Sequence, residues 1–300
     1  MSLSDPKKLN LSSLLSERKF KVPDFQRDYV WKQGTEIDEF WDDFKYYFDE
    51  FKSSEDDASL FLGTIILFSG KDATKDDGRS EIIDGQQRIT TLIIFLIALK
   101  HYVTKKQNEE HVIAENKGEK LAQCIAKSDQ LINYYDTNAL DVTDITLKST
   151  SNIRKVFETL CQFTSKGKVN FTDIRNDLTK ECKEKKERDE LKKEIDKQIK
   201  VIRPVYNFFY DKISASEDTK KETDKQTNNP DDPDDADEPD SPLAVDEIGL
   251  FFNAIKKMTF ITIEVEKEND AFEYFERVNA RGADLEISDL LKSQIFKKLK

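Results

Sequence analysis

Between Leu92 and Leu99 the chain runs Leu-Ile-Ile-Phe-Leu-Ile-Ala-Leu, inside a helical stretch, Gln86 to Val103, that is apolar nearly all the way round. A helix without a polar face has to be covered on every side. The continuous apolar run is far too short to cross a bilayer, which takes about 20 residues. The stretch is therefore expected at the centre of a folded core. A chain of 300 residues can supply the surrounding layers without disulfides or a structural metal. Cys124, Cys161 and Cys182 form no Cys-x-x-Cys pair and are read as free thiols of a reducing compartment. With His101 and His111 as the only imidazoles, no zinc site of ordinary spacing is available. No signal peptide is visible at Met1, so a cytoplasmic location is expected.

The layers around that helix follow from periodicity. Thr35 to Phe51 reads as a helix, because Ile37, Phe40, Trp41, Phe44 and Phe48 recur at three- and four-residue steps. Lys7 to Leu15 reads as a short helix. Val22 to Trp31, with Pro23 near its start, reads as an extended segment with a turn. Leu60 to Phe68, rich in β-branched and aromatic residues, reads as a strand, Lys71 to Arg79 as a polar loop, and Glu81 to Ile83 as a second strand. Lys105 to Ile213 is helical and highly charged, most of all over Glu181 to Lys200, where Leu191, Ile195 and Ile199 mark one narrow apolar seam. A solvated helix packing on a neighbour is the plain reading of that segment, and a basic DNA-binding face the sharper one. Phe260 to Val265 alternates as a strand does. Asp270 to Val278 reads as a helix with a capping box at Asp270 and Glu273. Ala280-Arg281-Gly282 reads as a turn, and Ser288 as the cap of a last helix still running at Lys300, so further chain is expected beyond it.

The fold class expected is α+β: a small mixed sheet with packed helices and a largely helical middle. Residues 1–104 would begin the core, 105–213 form the helical segment, 214–242 an acidic linker, and 243–300 complete the domain. The net charge of −12 does not exclude nucleic acid. Ser214 to Pro242 holds eleven acidic residues and three lysines, which is −8 of that total. The rest is nearly balanced, and global charge bears on solubility and association rather than on fold.

The segment Ile83-Asp84-Gly85-Gln86-Gln87-Arg88 is a strand end, a tight turn and a helix start. The first turn of a helix presents unpaired N–H groups and a positive dipole end, which suits a phosphate. Gly85 would let the ligand approach without a Cβ in the way. Arg88 supplies a planar cation for phosphate oxygens. Gln86 and Gln87 can reach a base, a sugar or a water, and Asp84 can hold magnesium or orient a water. The simpler reading is that Asp84 only N-caps the helix and Arg88 only pairs with a nearby carboxylate. Two features tilt the balance towards a ligand. Gln86 to Thr91 puts polar side chains in front of a hydrophobic helix, and Phe25-Gln26-Arg27-Asp28-Tyr29 is a second polar cluster on an apolar segment. Buried polar groups need partners, and a ligand can be one.

Phe25 to Trp31, Phe61-Leu62-Gly63-Thr64-Ile65, Ile83 to Leu92, and Phe275 to Leu285 with Asp289-Leu290-Leu291-Lys292 resemble, in the right order, the N-terminal domain of GmrSD-type modification-dependent restriction endonucleases. The resemblance covers about Val22 to Lys292. It implies a ParB- and sulfiredoxin-like fold that binds and hydrolyses nucleoside triphosphate with Mg2+ and regulates, or joins in, cleavage of modified phage DNA. By carry-over, Asp84, Gln87 and Arg88 would be catalytic. Gly85, Gln86, Arg88, Gln26, Arg27 and Thr90 would bind nucleotide, Asp84 would hold magnesium, and Asn279, Gly282, Asp289 and Lys292 would be accessory. The partners implied are DNA and an HNH-type nuclease domain, which is not visible in this chain; self-association is left open. The acidic insertion and the charged helices before it match nothing in the resemblance. Three other readings stay beside it: a DNA- or protein-binding module without turnover, a DNA-nicking domain using Asp84 with Glu81, and a sulfiredoxin-like phosphotransferase. The last lacks the cysteine it needs in the turn, where Gly85 and Gln86 stand.

Overall fold

A computed structural model describes residues 5–69, 78–109, 117–135, 142–215 and 242–266. The elements are β1 (Lys7–Asn10), α1 (Leu11–Glu17), β2 (Phe20–Lys21), α2 (Glu36–Ser53), β3 (Phe61–Phe68), β4 (Ser80–Asp84), α3 (Gln86–Gln107), α4 (Gly118–Ile132), β5 (Asn133–Tyr135), β6 (Val142–Ile145), β7 (Leu147–Lys148), α5 (Arg154–Gln162), α6 (Phe171–Thr179), α7 (Lys185–Ser214), α8 (Ile248–Lys257) and β8 (Thr259–Val265). Six strands form one sheet in the order β1-β8-β3-β4-β2-β7, and β5 pairs with β6 separately. β3 is parallel to β8 and antiparallel to β4, while β2 is parallel to both β4 and β7. The class is α+β with a mixed sheet, as the alternating and helical periodicities imply.

α3 is the centre. All but a few of its residues are buried, and α4 and α7 pack along it. At one end the core is an aromatic cluster in which Phe95 of α3 meets Phe44 of α2 at 5.1 Å between ring centroids and Phe209 of α7 at 4.8 Å. Phe251 of α8 closes it against Phe44 at 5.1 Å and Phe48 at 4.9 Å. Ring pairs at such distances, three of these four edge-to-face, add about 0.5–1.5 kcal/mol each beyond the area they bury. One continuous core thus draws side chains from the early, middle and late parts of the chain.

The expected helix over Lys7 to Leu15 is half wrong. Lys7–Asn10 is an edge strand paired antiparallel with β8, and the helix begins at Leu11. Asn10 is the hinge: its Oδ1 accepts the Ser13 N–H at 2.7 Å, so it caps the helix from the strand's last position. Cross-strand pairing with residues about 250 positions away outweighs local helical spacing. The charged helix is longer than the Glu181 to Lys200 reading and runs through Pro204 to Ser214. The helix over Asp270 to Val278, the last helix after Ser288, and the acidic stretch over 216–241 lie outside the described residues.

The three cysteines are free, Cys124 and Cys161 buried. His101 on α3 is buried as a neutral imidazole. Its Nε2–H donates to the Phe163 carbonyl at 3.1 Å, and its Nδ1 accepts from the Tyr206 hydroxyl at 3.0 Å, which in turn accepts the Val169 N–H at 3.1 Å. Burial drives its pKa down to about 4, against the pull of the Phe163 carbonyl and helped by Lys100. A depressed histidine pKa contributes stability that is complete above the ordinary value, near 6.5, and lost as pH falls through the folded value. Unfolding free energy is therefore expected to drop by about 3 kcal/mol between pH 7 and pH 4 from this group alone. Urea titrations across that range should show the drop, and His101→Gln should flatten that part of the profile; an equally steep profile in the variant would refute the assignment.

Candidate functional site at the start of helix α3

Gly85 makes the turn between β4 and α3. Its φ of +97° is left-handed, a region that glycine enters without a Cβ penalty. A Cβ there would stand 3.0 Å from Ile65 Cγ1, so the space it leaves free is taken by β3 rather than kept for a ligand. Asp84 does not cap the helix. The N-cap is Gly85, without a side-chain cap bond, and the Asp84 carboxylate pairs with Arg88 Nη2 at 3.2 Å.

Arg88 is held three ways. Its Nη1 donates to the Leu62 carbonyl at 2.5 Å, and its Nη2 donates to the Thr64 carbonyl at 2.8 Å and to Asp84. Both carbonyls flank Gly63, whose φ is +92° and around which the pairing of β3 with β8 shifts register. Arg88 thus plugs a bulge in β3 that Gly63 makes. Among the described residues its Nε and second Nη1 hydrogen have no acceptor, and the side chain is 23% exposed.

The glutamines have protein partners as well. Gln26 donates to the Ile83 carbonyl at 2.7 Å; Gln86 donates to the Arg27 carbonyl at 2.9 Å. Gln87 donates to the Asp28 carbonyl at 2.9 Å and accepts the Val30 N–H at 3.0 Å, much as a neighbouring strand would. Tyr29 bonds Thr91 through its hydroxyl at 2.7 Å, and burial pushes its phenol pKa up. Asn152 closes the other side, donating to the Tyr29 carbonyl at 3.0 Å and accepting its N–H at 3.2 Å. The polar residues leading α3 are therefore a clasp for the Val22–Trp31 segment. The segment's own backbone is the partner for which the sequence left a ligand as candidate.

Main-chain groups stay unpaired where those side chains do not. Among the described residues the N–H groups of Gln86, Gln87 and Arg88 make no hydrogen bond, while Ile89 N–H already bonds the Gly85 carbonyl at 3.1 Å. Gly85, Gln86, Gln87 and Thr90 are buried, Asp84 and Arg88 half-buried, and Arg27, whose carbonyl Gln86 holds, is exposed. On its outer side Arg88 also borders a cleft of about 260 Å³ that holds Glu36, Glu39 and Asp43 with Trp31 and Phe61. Those carboxylates repel a phosphate, so this cleft does not suit an anion. Among the described residues no three His, Cys, Asp or Glu side chains are grouped as metal ligands, and Glu81 is engaged by Lys21 at 3.1 Å. Asn279, Gly282, Asp289 and Lys292 lie outside the described residues.

Two contributors escaped the sequence reading. Gly63, a lone glycine in a strand pattern, carried the usual signal of a bulge. Asn152 carried none, since its partnership with Tyr29 exists only in three dimensions.

What the strands and helices define is an α+β domain built round a strand–glycine–helix corner, with a bulged neighbouring strand locked by the corner's arginine. The chain belongs to the family of the GmrSD restriction endonuclease, N-terminal domain, whose model matches residues 11–296. No curated protein matches the chain. Among the described residues no helix is long and apolar enough to cross a membrane.

Proposed function

We propose that this chain is the nucleoside-triphosphate-binding, hydrolysing and regulatory part of a cytoplasmic phage-defence restriction system acting on modified DNA, with a ParB- and sulfiredoxin-like core. The observation that carries it is the set of three N–H groups at the start of α3 that make no hydrogen bond among the described residues, with Arg88 one turn on and Arg27 exposed on the clasped segment. Amides at a helix start, together with a guanidinium, favour phosphate oxygens. Magnesium, when bound with the nucleotide, would neutralise phosphate charge, and Asp84 would be the carboxylate to hold it, exchanging its pairing with Arg88. One carboxylate suffices, because magnesium keeps waters and takes most remaining ligands from phosphates. Gln87 would orient water only if it released Asp28 and Val30. In this reading an HNH-type nuclease domain is the partner that cuts.

The satisfied state of the Gln26, Gln86 and Gln87 side chains favours a second reading, in which the corner is structural and the chain is a binding module without turnover. Calorimetry separates the two. Arg27→Ala is expected to weaken Mg-nucleotide binding by about tenfold, as loss of a charge-assisted bond worth 1.5–3 kcal/mol in typical cases implies, without lowering the melting temperature. Phosphate release with and without modified DNA then reports turnover. Unchanged affinity in Arg27→Ala, or flat phosphate release despite binding, hands the case to the second reading.

A further inference from the structure

The charged middle of the chain holds a second polar cleft, far from α3's first turn in sequence and unused by the reading above. It opens between α6 and α7, measures about 220 Å³, and is lined among others by Lys168, Asn170, Arg175, Asp196, Arg203 and Asn207. Its acidic neighbours are already matched. Asp196 pairs with Arg175 Nη1 at 3.4 Å, and Asp211 pairs with Lys168 at 2.6 Å. Arg203 is exposed and has no carboxylate partner among the described residues. Among the residues lining it, Arg203 therefore leaves the cleft one positive charge that no described carboxylate offsets. The amides that open α6 play no part in this, because Asn170 Oδ1 accepts from Thr172 N–H at 3.0 Å and the Asn170 carbonyl from Asp173 N–H at 2.9 Å.

Positive charge also continues outside the cleft. Lys200 precedes Arg203 by three residues and shares its side of α7, and Lys166 precedes Lys168; both are exposed and have no carboxylate partner among the described residues. A lone phosphate needs one pocket, whereas cations spread along two adjoining elements suit a chain of phosphates. The net charge of −12 does not oppose this, since −8 sits between Ser214 and Pro242.

We propose that the α6–α7 cleft is the surface on which this chain holds the phosphodiester backbone of DNA, with Arg203 as its principal contact. This deepens the DNA half of the proposed function and is independent of the nucleotide half. Contacts of this kind set position and affinity, not sequence. Fluorescence anisotropy of a labelled DNA duplex, titrated at several salt concentrations, tests it with the wild type, Arg203→Glu and the charge-matched control Lys52→Glu on α2. Arg203→Glu is expected to weaken binding by about tenfold or more and to reduce the slope of log affinity against log salt by about 1, while Lys52→Glu changes neither. Its melting temperature should match the wild type, because the replaced side chain is exposed. Wild-type binding with equal affinity and slope in Arg203→Glu overturns the cleft assignment alone. Absence of any wild-type duplex binding overturns the assignment together with the DNA half of the reading. Inorganic phosphate that binds in an Arg203-dependent way without competing with DNA identifies a free-ion site and overturns the proposal.

Discussion

Alanine at Gly63 is expected to cost about 3 kcal/mol of folding stability, far beyond the typical effect of so small a substitution. Two penalties add. At a φ of +92° an L-residue pays about 1–2 kcal/mol. The new Cβ would also overlap Arg88 Nη1, driving the guanidinium off the Leu62 and Thr64 carbonyls, and leaving such groups unsatisfied costs about 1–3 kcal/mol. Gly34 separates the two. Its φ is +88° with nothing within 4 Å of a built Cβ, so Gly34→Ala should show only the backbone penalty. Arg88→Ala in the Gly63→Ala background should cost much less than in the wild type, because the bonds it would break are already broken. Urea unfolding of the four variants gives the numbers. Equal losses at Gly63 and Gly34, or simple additivity with Arg88→Ala, would show that Arg88 does not lock the bulge.

Arg79→Met is expected to be the other severe change, at about 3–5 kcal/mol, the usual cost of breaking a buried charge network. Arg79 is fully buried. Its Nη1 donates to the Phe20 carbonyl at 2.9 Å and the Ile145 carbonyl at 3.0 Å, and its Nη2 pairs with Asp144 at 2.5 Å. It thereby ties β2 to the end of β6 beside β7, at the sheet edge where the strands are only two residues long. Burial raises the Asp144 carboxyl, but the Ile145 amide and the Arg79 guanidinium outweigh it and hold the group below the ordinary aspartate range. In Arg79→Met the Asp144 pKa should therefore rise along with the loss of stability. A variant that unfolds at the wild-type urea midpoint would leave Arg79 a bystander.

The core elements were legible because their burial is periodic. α2 and β3 each begin one residue later than their patterns indicate, and α3 continues four residues past Val103. β2 and β7 were not legible. Two residues carry no period, and these strands exist because Phe20 and Lys21 find partners at Ser80, Glu81, Leu147 and Lys148. α8 escaped as well, although Ile248, Phe251, Phe252 and Ile255 carry helical spacing and are buried. At the candidate site, the turn at Gly85 and the polar residues after it stood out. That those side chains clasp the Val22–Trp31 backbone could not be read, since a glutamine's need for a partner does not say which partner it meets. The role of Arg88 likewise depends on a bulge centred 25 residues earlier in the chain.

If the first amides of α3 receive a triphosphate, as proposed, their own signals report it. Those amides can be observed individually. In a nuclear magnetic resonance titration with a nonhydrolysable nucleoside triphosphate and Mg2+, the backbone N–H signals of Gln86, Gln87 and Arg88 are expected to move saturably, and to need much more ligand in Arg27→Ala. Signals that stay in place at ligand concentrations saturating the protein elsewhere, or up to millimolar ligand without any binding, contradict the account.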